Sequence, residues 1–199
     1  MHYAKIAREH NVEMLCIGTE LTNATVSKPE KWRALIKDIK KVYRGLLTYA
    51  ANWNEEYLQI SFWDALDYAG IDAYFPLSDK EHPTYDELIK AWGKWLPEIE
   101  KWQARINKPV IFPEVGYHSS EYAAKEPWVH TPGTTLDLEV QVDCYKAMLD
   151  TFWDKEWFYG IYWWDWGTSV RMGGEANRGF TPQNKPAEEL IKKQYSKRR

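Results

Sequence analysis

Two cysteines in 199 residues, Cys16 and Cys144, provide no disulfide framework and no zinc-type ligand spacing, and this scarcity favours the cytoplasm over secretion. Neither charge sign dominates. The 26 Lys and Arg against 29 Asp and Glu give a net charge of -3, without the basic face that nucleic-acid binders carry. No run approaches the roughly 18 apolar residues of a membrane-spanning helix, so neither a membrane nor a nucleic acid is an expected partner. Residues 1–11 are polar and helical in pattern, unlike a secretory signal. The 11 Gly and 10 Pro are dispersed, with no low-complexity stretch, repeat or linker, so residues 1–199 read as a single domain. No His, Cys and carboxylate group has metal-ligand spacing, so neither a metal nor a cofactor is expected.

Aromatic residues are abundant: 12 Trp, 13 Tyr and 6 Phe. That is more Trp than a core of this size needs, and it suggests that many of them line a surface for a flat-faced ligand. Short apolar runs alternate with helical stripes. The runs fall at 12–21, 46–53, 70–77, 110–116 and 158–166. The helices are marked by the capping box Ser27-Lys28-Pro29-Glu30, followed by Trp32, Leu35, Ile36, Ile39 and Val42, and by a second box, Thr84-Tyr85-Asp86-Glu87. Residues 57–68 read as a short amphipathic helix, and Pro97 is expected to kink or divide the helix after Thr84. A long loop runs from Tyr117 to Thr134, then a helix from about Thr135 to Trp153 and a last helix after Pro186. Near-continuous apolar strands between helices indicate a parallel α/β sheet, either doubly wound or of the (β/α)8 barrel type.

Ligands of such folds bind at the carboxyl ends of the strands. There the sequence places Gly18-Thr19-Glu20, Asn52-Trp53-Asn54, Ala73-Tyr74-Phe75, Phe112-Pro113-Glu114 and Trp163-Trp164-Asp165-Trp166. A lone strand-end Glu usually caps a helix or pairs with a cation. Two of them, Glu20 and Glu114, both in apolar strand sequence with aromatic neighbours, match the carboxylate pair of glycoside hydrolysis. Tryptophan faces suit the apolar face of a sugar ring. Trp128, in the long loop, is a candidate outer subsite. His118 and His130, in the same loop, read as solvated, and Cys16 as a small residue packed inside the barrel.

The segments Ile17-Gly18-Thr19-Glu20-Leu21 and Ile111-Phe112-Pro113-Glu114-Val115-Gly116 resemble the fourth and seventh strand ends of the clan A glycoside hydrolases. Gly160-Ile161-Tyr162-Trp163-Trp164-Asp165-Trp166 resembles their eighth strand, and the two Glu lie 94 positions apart, from 20 to 114. Within the clan the chain is most similar to glycoside hydrolase family 113, whose members are retaining β-1,4-mannanases. The resemblance implies a (β/α)8 TIM barrel present as a partial barrel, strands four to eight with their helices. It implies Glu20 as general acid/base, Glu114 as nucleophile and Tyr74 as hydrogen-bond partner of the nucleophile. Trp164 or Trp163 becomes the sugar platform, with Trp53, Asn52, Thr19 and Trp128 as further glycan contacts. Where most of the clan has Asn before the acid, Thr19 stands here, so either the contact to the sugar 2-hydroxyl is altered or Asn23 or Asn52 supplies it. The implied substrate is a β-linked, mannan-like glycan. Strands one to three would come from a homo-oligomer partner or a second chain, or the sequence is an excised piece of a longer gene that folds as a partial barrel. The competing readings are another clan A activity (galactanase, glucanase or β-mannosidase) and a catalytically silent sugar-binding module.

Overall fold

The computed structural model describes residues 1–130 and 135–197, so the last part of the long loop, including Thr134, lies outside the described residues. Its elements are α1 (His2–Glu9), β1 (Met14–Thr19), α2 (Thr22–Ser27), α3 (Pro29–Val42), β2 (Leu46–Asn52), α4 (Glu56–Gln59), a 3-10 turn (Trp63–Ala65), β3 (Ala69–Asp72), α5 (Tyr85–Ile106), β4 (Val110–Val115), α6 (Leu138–Phe152), β5 (Phe158–Trp163) and α7 (Pro186–Tyr195). The strands form one sheet in the order β1-β2-β3-β4-β5. β1 pairs parallel with β2, and β2 with β3. Each strand neighbours the next in sequence, so the order never reverses. That is the (β/α) barrel order rather than the doubly wound one, which turns back at a switch point.

Local chemistry accounts for the boundaries. Thr84 and Glu87 form the expected reciprocal box: the Thr84 N–H donates to Glu87 Oε2 (3.1 Å) and the Glu87 N–H to Thr84 Oγ1 (3.4 Å). The other box does not form. Pro29 opens α3 as expected, but Ser27 ends α2 and gives its hydroxyl to the Asn23 carbonyl. α5 runs through Pro97 without a break, because Pro97 and Gly93, the residue whose carbonyl loses its donor, are both exposed to water. The expected helix over 57–68 is instead two short turns. Phe62, between them, and Trp63, which opens the second, are drawn into the core, and Trp63 Nε1 donates to the Tyr57 carbonyl (3.0 Å).

The chain packs as two compact units. The first comprises Met1–Ala73, Glu100–Pro113 and Glu156–Ile161. Its core is aromatic: Trp32 stacks on Phe62 (5.6 Å), Tyr49 meets Trp32 edge-on (5.3 Å), and Trp102 meets Tyr57 (5.1 Å) and Trp63 (5.8 Å) edge-on. The second comprises Tyr74–Ile99, Glu114–Lys155 and Tyr162–Arg199. There Trp92 packs edge-on against Phe75 (5.5 Å) and Phe152 (5.0 Å). Burying one such indole is worth about 3–5 kcal/mol against Ala. Trp32, Trp63, Trp92 and Trp102 are therefore core residues, and these four do not line a surface for a ligand. Cys16 is exposed rather than packed inside, its thiol donating to the Gly18 carbonyl (3.3 Å). No helix of the described residues is long and apolar enough to cross a membrane.

Candidate active site

The first unit holds Glu20, which directly follows β1. Its backbone takes a left-handed turn (φ 50°) while its N–H stays on the ladder, donating to the Ala50 carbonyl (2.9 Å). The β1–β2 register shifts between Cys16 and Thr19, just before this turn. Glu20 is exposed, and its Oε1 accepts from Asn52 Nδ2 (2.9 Å). Asn52, the last residue of β2, is thus held on the carboxylate itself. Its Oδ1 accepts the Asn54 N–H (2.8 Å) and its own N–H donates to Glu56 Oε2 (2.8 Å). Glu56 also accepts from Tyr49 Oη (2.8 Å) and Thr25 Oγ1 (2.7 Å). Thr19 is exposed at the end of β1, and Trp53 is half-buried just after β2.

The second unit holds Glu114, half-buried in β4. Tyr74, 6% exposed, donates its hydroxyl to Glu114 Oε2 (3.0 Å). Burial pushes the Glu114 carboxyl above its ordinary range, and the Tyr74 donor and the charge of His130 pull it back down. The two tryptophans at the end of β5 have different settings. The Trp163 ring lies 4.7 Å from Tyr145 of α6, with its Nε1 buried. Trp164 is 37% exposed and stands 6.4 Å from the His130 ring. The Trp164 N–H donates to the Val115 carbonyl (2.8 Å), one residue after Glu114. Gly116 makes this approach possible, since a Cβ there would lie 1.9 Å from the Trp164 carbonyl oxygen. Trp128 is exposed on the long loop.

His118 is buried rather than solvated, its ring 3.8 Å from that of Phe180. The backbone on either side of it is fixed by a polar network. Gln141 Nε2 donates to the Tyr117 and Phe180 carbonyls (2.8 Å each), Ser119 Oγ to Gln141 Oε1 (2.9 Å), and the buried Lys185 Nζ to Ser119 Oγ (2.8 Å). Burial, reinforced by His130 and Lys185, pushes the His118 imidazole down from 6.5 to about 4. Between those values the unfolded chain holds a proton that the folded chain refuses. Stability is therefore complete above pH 6.5 and falls as the pH drops toward 4, by as much as about 3 kcal/mol. Chemical unfolding at pH 5 and pH 7.5 checks this. The His118→Gln variant is expected to lose much less on the acid side than the parent, and equal losses would show that His118 is not held neutral.

The site residues thus fall into two local groups, Glu20 with Asn52, and Glu114 with Tyr74, Trp164 and His130. Glu56 carries no sign of its burial in the sequence, where it stands in the polar run Asn52-Trp53-Asn54-Glu55-Glu56. Among the described residues no three His, Cys, Asp or Glu side chains are grouped to hold a metal ion.

Comparison with known proteins places this arrangement. No curated protein matches the chain. Among solved structures, it is similar to a GH113 β-1,4-mannanase at 32% identity and a TM-score of 0.84, over 99% of this chain and 60% of that one. It is similar to the GH113 β-mannanase AaManA from Alicyclobacillus acidocaldarius, in complex with ManMIm, at 29% identity and a TM-score of 0.83, over 98% of this chain and 58% of that one. The chain therefore spans about 60% of the length of these mannanase chains. A β-glucuronidase from Faecalibacterium prausnitzii shares the fold, with a TM-score of 0.65 at 18% identity. The model of Glycoside Hydrolase Family 113 matches residues 1–185, and the chain belongs to that family.

Proposed function

We propose that the chain is the C-terminal part of a retaining β-mannanase barrel, folded as one domain and acting on β-1,4-linked mannan or manno-oligosaccharide. The observation that carries this is the strand-end carboxylate Glu114 with the Tyr74 hydroxyl 3.0 Å away, in a chain of family 113. In the first step Glu114 attacks the anomeric carbon while Glu20 gives its proton to the departing glycosidic oxygen. In the second, Glu20 takes a proton from water as that water attacks the glycosyl–Glu114 ester, and the free carboxylate is regenerated. The mechanism needs the two carboxyl groups about 5–5.5 Å apart. Glu114 must be ionised at the moment of attack, which the Tyr74 donor favours. Trp164, with its exposed ring, is the sugar platform, and Trp163, packed on Tyr145, backs it. Asn52, Thr19, Trp53 and Trp128 line further contacts. The remaining glycan contacts fall to whatever completes the barrel.

The test is proton NMR of the first products released from mannopentaose. Retention gives the β-anomer first. The α-anomer first would overturn the two-step mechanism. Release from galactan or glucan but not mannan would move the chain to another clan A activity. Binding without release would make it a silent module.

A further inference from the structure

Glu56 stands outside the carboxylate pair and has no role in the chemistry above, yet its setting is unusual. It opens α4 fully buried, at 0% exposure, and accepts from three neutral donors: Thr25 Oγ1, Tyr49 Oη and the Asn52 N–H. Burying a carboxylate among neutral groups is costly, and an apolar residue of similar volume would hold a core at less cost. Two of the three donors lead to Glu20. Tyr49 Oη donates to Glu56 and, with a free lone pair, accepts the Leu21 N–H (2.6 Å). That fixes the backbone directly after the left-handed turn at Glu20. Asn52 is held to Glu56 by its N–H, its Oδ1 is occupied by the Asn54 N–H, and its Nδ2 donates to Glu20 Oε1. One arm ends on the main chain that carries Glu20, and the other on the Glu20 carboxylate.

We propose that Glu56 is a positioning residue for Glu20, acting through Tyr49 on the backbone and through Asn52 on the carboxylate; this rests on the reading of Glu20 as acid/base. Glu56 does not reach the substrate. It holds the acid where a proton can be delivered to the leaving oxygen. Glutamine at this position keeps the size but offers one oxygen instead of two, so whichever way the amide turns, one arm loses its acceptor.

Leaving-group dependence separates positioning from mere structure. β-1,4-Mannan needs a proton on its leaving oxygen, whereas 2,4-dinitrophenyl β-mannobioside does not, and kcat/KM reports the glycosylation step for both. Glu56→Gln is expected to lower kcat/KM on mannan by about 30-fold or more, a large share of the roughly 100- to 10,000-fold that a placed acid contributes, and on the aryl substrate by less than about 3-fold. Tyr49→Phe cuts only the backbone arm and gives a smaller split in the same direction, and it serves if Glu56→Gln does not fold. Equal losses on both substrates, or no loss, would overturn the proposal. If the parent chain turns over neither substrate, the mannanase reading falls and NMR decides this one. The Asn52 side-chain amide signals, identified by their loss in Asn52→Ala, should move in both Glu20→Gln and Glu56→Gln. Signals left in place by Glu56→Gln would overturn the positioning role by themselves.

Discussion

Glu114→Gln is expected to lower turnover of β-mannan by about a thousand-fold or more while leaving the fold as stable as before, or more so. The substitution keeps the shape of the side chain and its place in β4. It replaces an anionic oxygen, the candidate nucleophile beside Tyr74 and His130, by an amide that cannot form the glycosyl ester. The stability half follows from linkage. The folded Glu114 carboxyl binds its proton more tightly than the unfolded one, because burial outweighs the Tyr74 donor and the His130 charge. Its ionised form therefore costs stability at neutral pH, and that cost disappears as the pH falls through the raised value. A neutral amide removes the cost at every pH. A 2-deoxy-2-fluoro mannosyl fluoride, whose leaving group needs no acid, should label the parent on Glu114 and leave Glu114→Gln unlabelled. Retention of more than about a tenth of parental turnover would sink the nucleophile assignment. So would labelling of a different carboxylate.

Legibility of the chain in its sequence tracked how local each signal is. The Thr84–Glu87 box, the Pro29 helix start and the stripe through Trp32, Ile36 and Ile39 depend on neighbours three or four residues away, and they emerged where expected. Strand interiors were readable for the same reason, their ends less so. The expected strand over 70–77 stops at Asp72, because the next residues bond elsewhere: Tyr74 to Glu114, and the Leu77 N–H to the Ala124 carbonyl (2.8 Å). Those partners are 40 and 47 positions away. The doubly wound alternative could be discarded only from the strand order, since local pattern does not encode which strand pairs with which. Glu20 and Glu114 could be singled out because each is a charge in apolar strand sequence. Glu56 could not, because it lies among Asn and Glu, and only the convergence of Thr25, Tyr49 and Asn52 distinguishes it. His118 was misread for the complementary reason. Loop position suggests solvent, whereas Phe180 and the Gln141 network, contributed by distant segments, enclose it.

Gly116→Ala tests how closely the end of β5 is seated against the end of β4, and its expected signature is the reverse of that of Glu114→Gln. The new methyl would lie 1.9 Å from the Trp164 carbonyl oxygen, 2.9 Å from its carbon and 3.1 Å from Phe180 Cδ1. A flexible side chain could swing aside, but the two nearest atoms are backbone. The Trp164 carbonyl is also poorly free to retreat, because the N–H of the same residue donates to the Val115 carbonyl (2.8 Å). Relief requires giving up that hydrogen bond or moving β5, so the cost falls at the upper end of the overpacking range, about 3 kcal/mol. For a chain of this size that is a loss of roughly 6–12 °C in Tm. Gly93→Ala is the matched control. Gly93 lies exposed in α5 with no atom within 4 Å of its would-be Cβ, so the same methyl should stabilise by about 0.5–1 kcal/mol. Because Trp164 carries the exposed ring beside His130, its displacement should also weaken manno-oligosaccharide binding about ten-fold, within the range seen for a displaced aromatic anchor. Calorimetry reads both, the melting scan for stability and the titration for affinity. A Gly116→Ala chain that melts with the parent would mean that the Trp164 carbonyl has room to yield. One that melts early yet binds sugar unchanged would remove Trp164 from the platform.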